Sequence, residues 1–361
     1  MNTIDADAHV EESVATWEEI EPAYKARKPL VITLPTDTAL GGFNAAWVVD
    51  GQMRYVGATP TSGANAQKKP VSIGSQELTD VPGRLADMDK FGVNKQVIYP
   101  TVWLVCMAEE VGLEAALARA YNTFMAKQCN LSGGRLYYSA VIPFRDPKAA
   151  VEEIRRVKKM GSAVSIFVRG IEWDMPLSHP SFYPIYEEAQ KQDLVMAVHL
   201  GFGSPVINRM FESIPRRRED MRFPFVPPRS LPLLRMMIPY AFETVVTAGI
   251  PDEFPKLRWA FLEAASAWMI SSLACLKGPA RANGRKYLDE GKIYVTCEPD
   301  EDLPYLVNQL GPNCMVMASD YPHEDDFRHD DFGAGLSEHK SLTGEVIEKI
   351  LATNPARLYA L

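Results

Sequence analysis

Five side chains able to bind a metal or move a proton stand at the ends of apolar runs in this 361-residue chain. Asp7 and His9 close the run TIDADAH (3–9), and His199 closes LVMAVHLG (194–201). Glu263 closes LRWAFLEA (257–264), and Asp320 closes CMVMASDY (314–321). A buried strand does not carry a carboxylate or an imidazole to its end without a partner, because an unpaired charge in a dry interior is strongly unfavourable. Asp7 and His9 are two residues apart, so alternation along a strand puts both side chains on one face, about 6.6 Å apart along it. Carboxylate and imidazole together suit a divalent ion such as Zn, Mn or Fe. A D-x-H tripeptide alone is common, and its weight here comes from His199 and Asp320 lying at the ends of other runs.

Those runs must be positioned by a fold. Eight β-rich stretches occur: the four above together with VNKQVIYPT (93–101), RLYYSAVIP (135–143), AVSIFVRG (163–170) and IYVTCEPD (293–300). Most are too continuously apolar for a sheet with one wet face and read as parallel strands covered on both sides. Helical patterns separate them, at 108–130, 146–161, 181–192, 229–248, 265–278 and 343–360. The segment DPKAAVEEIRRVKKMG begins on an Asp-Pro cap and stops at Gly161, as helix punctuation requires. Eightfold alternation of strand and helix predicts an α/β fold, a (β/α)8 TIM barrel occupying residues 1–361 as one domain. Two connections, about 10–80 and 201–228, exceed what a minimal barrel needs. Loops after strands lie on the catalytic face of such barrels, so these insertions are expected to build the substrate pocket.

Composition narrows the function. The formal net charge of -8 argues against a nucleic-acid binder, since phosphates would be repelled. Five scattered cysteines without a CxxC pair read as reduced thiols. No secretory leader and no run long enough to span a bilayer is visible. A cytoplasmic protein with no membrane partner is expected.

IDADAHVEE, VHLG and SDYPHED, in this order, resemble the amidohydrolase superfamily, nearest to the amidohydrolase-2 branch of aminocarboxymuconate-semialdehyde-decarboxylase-like proteins. RLADMDKFGVNKQVIYPT, FPKLRWAFLEAASAW and NPARLYAL extend the resemblance over nearly the whole chain. It implies a metal at the top of the barrel held by Asp7, His9, His199 and Asp320. The sequence departs from many relatives at strand six, where Glu263 stands in place of a histidine. With that histidine absent, a hydrolase is the expectation. Glu263, alone or with Glu12, would hold a second ion; otherwise Glu263 would act as a general base or pair in a salt bridge. Zn, Fe or Mn is the expected metal. In this reading a metal-activated water, deprotonated by Asp320, attacks an amide, ester or thioester of a small, fairly apolar acid. The alternative is a non-oxidative decarboxylase or lyase acting on an aromatic or unsaturated acid, with Asp320 protonating carbon.

His323 is read as orienting substrate or a metal-bound water, or as bracing the loop after strand eight. Glu12 is read as a ligand or as a charge favoured at a helix start. Arg169 is read as a structural ion pair at the rim or as a binder of a substrate carboxylate. Trp103 and Phe223 are expected to line the pocket. The basic run at 216–218 in the second insertion is read as a solvated face or as an attractor of an anionic, coenzyme A- or carrier-linked substrate. The apolar stretch at 231–242 suggests a homodimer interface or an ordinary buried helix.

Overall fold

In the computed structural model the described residues are 1–37, 42, 44–54, 60–212, 231–323 and 332–361. Among them, thirteen strands occur in chain order: β1 (Ile4–Val10), β2 (Leu30–Thr33), β3 (Ala45–Val49), β4 (Gln52–Arg54), β5 (Lys95–Pro100), β6 (Leu136–Ala140), β7 (Ala163–Arg169), β8 (Ile171–Glu172), β9 (Met175–Pro176), β10 (Val195–His199), β11 (Trp259–Leu262), β12 (Ile293–Cys297) and β13 (Met315–Met317). Eight of them form one parallel sheet in the order β1-β5-β6-β7-β10-β11-β12-β13. The two edges meet: the Asp320 amide donates to the Asp7 carbonyl at 3.0 Å, and the His9 amide to the Tyr321 carbonyl at 2.5 Å. The result is the expected eight-stranded barrel; seven of its strands fall within the runs marked in the sequence, and β1 extends one residue past its run, to Val10.

Every residue of β1, β7, β10, β11 and β12 is buried, as continuous apolar patterning requires of strands covered on both faces. Helices between the strands are punctuated by local chemistry. Val81–Phe91 starts where the Asp80 side chain accepts from the Gly83 amide and ends at left-handed Gly92. Pro147–Met160 starts where Asp146 accepts from Ala149, and Leu303–Leu310 where Asp302 accepts from Tyr305. Each side chain satisfies one of the amides that a helix start leaves without a partner.

Three features depart from the sequence reading. The first insertion contains an antiparallel sheet, β2-β3-β4, whose Trp47 packs edge-on against Trp17 with ring centroids 6.1 Å apart. The helix expected over 265–278 ends at Cys275, and a second one runs Gly278–Asp289. The helix expected over 343–360 is broken into Gly344–Glu348, a wide turn at Lys349–Thr353, and Asn354–Tyr359. Pro355 accounts for the break, because it offers no amide and its ring crowds the carbonyl four residues back. Residues 213–230, the bulk of the second insertion, lie outside the described residues, and with them Phe223 and the basic run 216–218.

Candidate metal centre

The ends of β1, β10, β11 and β13 bring four of the predicted side chains to one point, and Glu263 joins them. The Nε2 atoms of His9 and His199 face each other at 3.2 Å. His199 Nε2 lies 3.3 Å from Asp7 Oδ2 and 3.1 Å from Glu263 Oε2. His9 Nε2 lies 3.3 Å from Asp320 Oδ1, 3.6 Å from Asp7 Oδ1 and 4.0 Å from Glu263 Oε2. Asp7, His9 and His199 are buried and offer ligand atoms all within 4.8 Å of one another; His9, Asp320 and His323 form a second such group.

The backbone aims these groups. Glu263 and Asp320 follow the last residues of β11 and close after β13 in left-handed conformations, φ 54° and 52°. That region is unfavourable for side chains other than glycine, and strain of this kind concentrates at functional sites. Arg84 holds the other end of the pair: buried, it donates to the His9 carbonyl at 3.0 Å, to Gln96 Oε1 at 2.8 Å and to the Ser75 carbonyl at 3.1 Å.

The His199 tautomer follows from its second ring nitrogen. His199 Nδ1 lies 2.8 Å from the Leu200 carbonyl, which only accepts, so that Nδ1 carries its proton. His9 Nδ1 lies 3.4 Å from Thr101 Oγ1, and the Nε2 atoms of both rings turn toward the shared point. Burial first, then the neighbouring His323 and His199, push the His9 imidazole well below its ordinary range. Burial acts in the same direction on His199, but the Asp7 carboxylate overrides it and raises that imidazole. Both oxygens of Asp7 are buried outside any regular hydrogen bond. A proton on His199 satisfies two atoms at this point. A divalent ion satisfies all of them: ligands at about 2.0–2.2 Å from a metal stand about 3–3.5 Å apart, as the His9–His199, His9–Asp320, His199–Asp7 and His199–Glu263 atoms do. The residues therefore fit a divalent cation.

His323 stacks on His9, with centroids 4.1 Å apart and planes at 29°. Its Nδ1 is 2.8 Å from Asp320 Oδ1, and its Nε2 is 3.0 Å from Thr101 Oγ1 and 3.8 Å from Glu11 Oε1. Lys69, from the first insertion, bridges Glu11 at 3.5 Å and the Pro322 carbonyl at 2.8 Å.

Glu12 does not join the cluster. Its Oε2 accepts from the Thr101 and Val102 amides at 3.2 and 2.8 Å. Neither group of ligand-type side chains among the described residues includes Glu12 or Glu263, so a second ion held by that pair is not assembled. Burial raises the Glu12 carboxyl from 4.5 to about 8, against the pull of the Val102 amide. The folded protein thus keeps a proton that the unfolded chain releases, so stability from this group falls as pH rises from about 4.5 to about 8. Glu12→Gln, which keeps an acceptor for both amides and removes the ionisation, is expected to gain on the wild type across that window. Chemical denaturation at pH 5 and pH 8 checks this; a gap that stays constant with pH refutes it.

Arg169 is likewise committed elsewhere. It is buried, its Nε lies 2.9 Å from Glu172 Oε1 and its Nη2 2.5 Å from Oε2, the structural alternative of its two readings. Trp103 is fully buried, and its carbonyl accepts from Arg169 at 3.3 Å. The sequence reading passed over Thr101, Glu11, Lys69 and Tyr99. Thr101 closes VNKQVIYPT, so the rule applied to the other strand ends would have found it. Lys69 carries no such signal, because only the folded insertion brings it to Glu11.

A family model described as amidohydrolase matches residues 4–361. The gamma-resorcylate decarboxylase of Rhizobium sp. (strain MTP-10005) is 22% identical over 293 residues, covering 77% of this chain and 86% of that protein. The fold is similar to that of an amidohydrolase from Mycobacterium avium subsp. paratuberculosis K-10, with TM-score 0.78, 18% identity and 99% of each chain covered. It is also similar to a dihydroxybenzoic acid decarboxylase from Polaromonas sp. JS666 with bound manganese and the inhibitor 2-nitroresorcinol, with TM-score 0.59, 20% identity, and 77% of this chain and 85% of that one covered. These relatives overturn the expectation of a hydrolase cleaving an amide, ester or thioester. That expectation rested on Glu263 as a two-ion residue, and the fold places Glu263 against the same imidazoles as Asp7 and Asp320.

Proposed function

The chain belongs to the amidohydrolase family, and from that premise we propose that it is a divalent-metal-dependent, non-oxidative decarboxylase of a small hydroxylated aromatic acid. The observation that carries this reading is the pair of imidazole Nε2 atoms 3.2 Å apart, ringed by the carboxylates of Asp7, Glu263 and Asp320. The names of the similar decarboxylases, one of them holding manganese, support the reaction class and the choice of ion. Asp7, His9, His199 and Asp320 would hold the ion. Carboxylate-rich ligation suits a hard ion such as Mn²⁺. When bound, the ion would supply a Lewis acid for the acidic substrate.

The protein's own groups do the rest. Asp320, given a proton by His323, passes it to the ring carbon bearing the carboxylate. The electrons of the breaking carbon–carboxylate bond remain with that carbon, and carbon dioxide leaves. His323, 2.8 Å from Asp320 Oδ1, is placed to return a proton to it, and its stacking on His9 keeps the ring in position. Glu263, about one-fifth exposed, is the cluster carboxylate most open to solvent and faces the entering substrate.

The test is direct. Metal-free protein prepared with a chelator is given Mn²⁺ and a panel of 2,6-dihydroxybenzoate-class acids. Stoichiometric carbon dioxide and the parent phenol are expected only with metal restored. Turnover that survives chelation, or release of no carbon dioxide from any member of the panel, refutes the proposal.

A further inference from the structure

The strand that carries Asp7 and His9 is irregular at the ligand pair. Its pairing with β5 runs Asp5 to Gln96 and then Ala8 to Ile98, so Ala6 and Asp7 together stand against Val97 alone. An extra residue of this kind takes backbone groups off the ladder, and buried backbone groups must find other partners. Here they do. The Asp7 amide points at Asp5 Oδ1, 3.4 Å away, and the Asp7 carbonyl accepts from the Asp320 amide at 3.0 Å. The Ala6 carbonyl accepts from the hydroxyl of Tyr359 at 2.8 Å.

Tyr359 comes from the other end of the chain, at the close of Asn354–Tyr359. Its oxygen is also 2.8 Å from the hydroxyl of Tyr99. A phenol has one proton to give, and that of Tyr359 goes to Ala6, so Tyr99 is the donor between them. The Tyr99 ring in turn stacks on His199, with centroids 5.4 Å apart and planes at 26°. All of these groups are buried. One hydroxyl therefore touches the bulge that sets Asp7 and the ring that supports His199.

We infer that Tyr359 is a positioning residue for the metal ligands, holding the β1 bulge through Ala6 and the His199 ring through Tyr99. Without it the Ala6 carbonyl is orphaned, and regular pairing with β5 becomes competitive. Regular pairing moves the strand by one residue, and a one-residue slip turns each side chain to the opposite face. Asp7 would then leave the cluster. The inference rests on the metal reading above, and the experiment separates the two.

Metal-free wild type, Tyr359→Phe, Tyr99→Phe and Tyr186→Phe are titrated with Mn²⁺ in competition with a chromophoric chelator, and their thermal midpoints are recorded. Tyr186 is the control: a buried phenol on Tyr183–Lys191 that donates to the Leu177 carbonyl at 2.5 Å and touches no ligand. Tyr359→Phe is expected to weaken Mn²⁺ binding about tenfold or more, the usual effect of removing a ligand's support. Tyr99→Phe, which spares the bond to Ala6 and the stacked ring, loses less. Tyr186→Phe lowers the midpoint with wild-type affinity. Wild-type affinity in Tyr359→Phe overturns the inference alone; if Tyr359→Phe does not fold, wild-type affinity in Tyr99→Phe does so. A wild type that binds no Mn²⁺ overturns the metal reading and this inference together.

Discussion

His199→Ala is expected to weaken binding of a divalent ion by about two to three orders of magnitude and to abolish decarboxylation. The size follows from sharing a total metal-binding free energy of roughly 10–16 kcal/mol among four ligands, which assigns about 2.5–4 kcal/mol to each. His199 is the ligand least open to replacement. Its Nε2 is 3.2 Å from that of His9 and 3.1–3.3 Å from Glu263 and Asp7, and its Nδ1 is held at the Leu200 carbonyl. Removing the ring also leaves the Asp7 carboxylate, already without a regular hydrogen bond, facing a void at the end of β10. The measurement is chelator competition on metal-free protein, with far-UV circular dichroism as the control for folding. An affinity within a few-fold of wild type, in a folded variant, removes His199 from the ligand set.

Asp320→Asn is expected to lower kcat by about 10²–10⁴-fold, the range spanned by loss of a positioned acid or base, while metal is still bound more weakly. Asparagine keeps the shape but has no acidic proton for the ring carbon. The geometry makes Asp320 the residue where the two roles meet: its Oδ1 stands 3.3 Å from His9 Nε2 and 2.8 Å from His323 Nδ1. The experiment is therefore run at saturating Mn²⁺, so that weakened binding of the ion is not read as loss of chemistry. A fall of less than tenfold assigns the proton transfer to another group, with Glu263 next in line by its place beside His199.

The sequence by itself carried the barrel and most of the side chains that cluster at its end. Eight apolar runs marked the eight barrel strands because a parallel strand buried on both faces leaves no other pattern. The strand-end rule brought Asp7, His9, His199, Glu263 and Asp320 together because a polar group at such an end has to meet another. The resemblance to the amidohydrolases added the expectation of which end of the barrel they share.

Other matters were decided only by the fold. Glu12 and Glu263 looked alike as spare carboxylates, and their sequence positions cannot say which amides lie near. The loop after β5 gave Glu12 the Thr101 and Val102 amides. The left-handed turn at φ 54° gave Glu263 the imidazoles. Arg169 went to Glu172, three residues on, because the chain turns back at β8. The bulge in β1 is the clearest case. Alternation put Asp7 and His9 on one face, yet the strand is irregular just before His9, at Ala6 and Asp7, and its carbonyl at Ala6 is satisfied from Tyr359, 353 residues away. Hydrophobic period is a local property and survives in the sequence. A hydrogen bond between the first strand and the last helix exists only once the barrel has closed, and no local pattern records it.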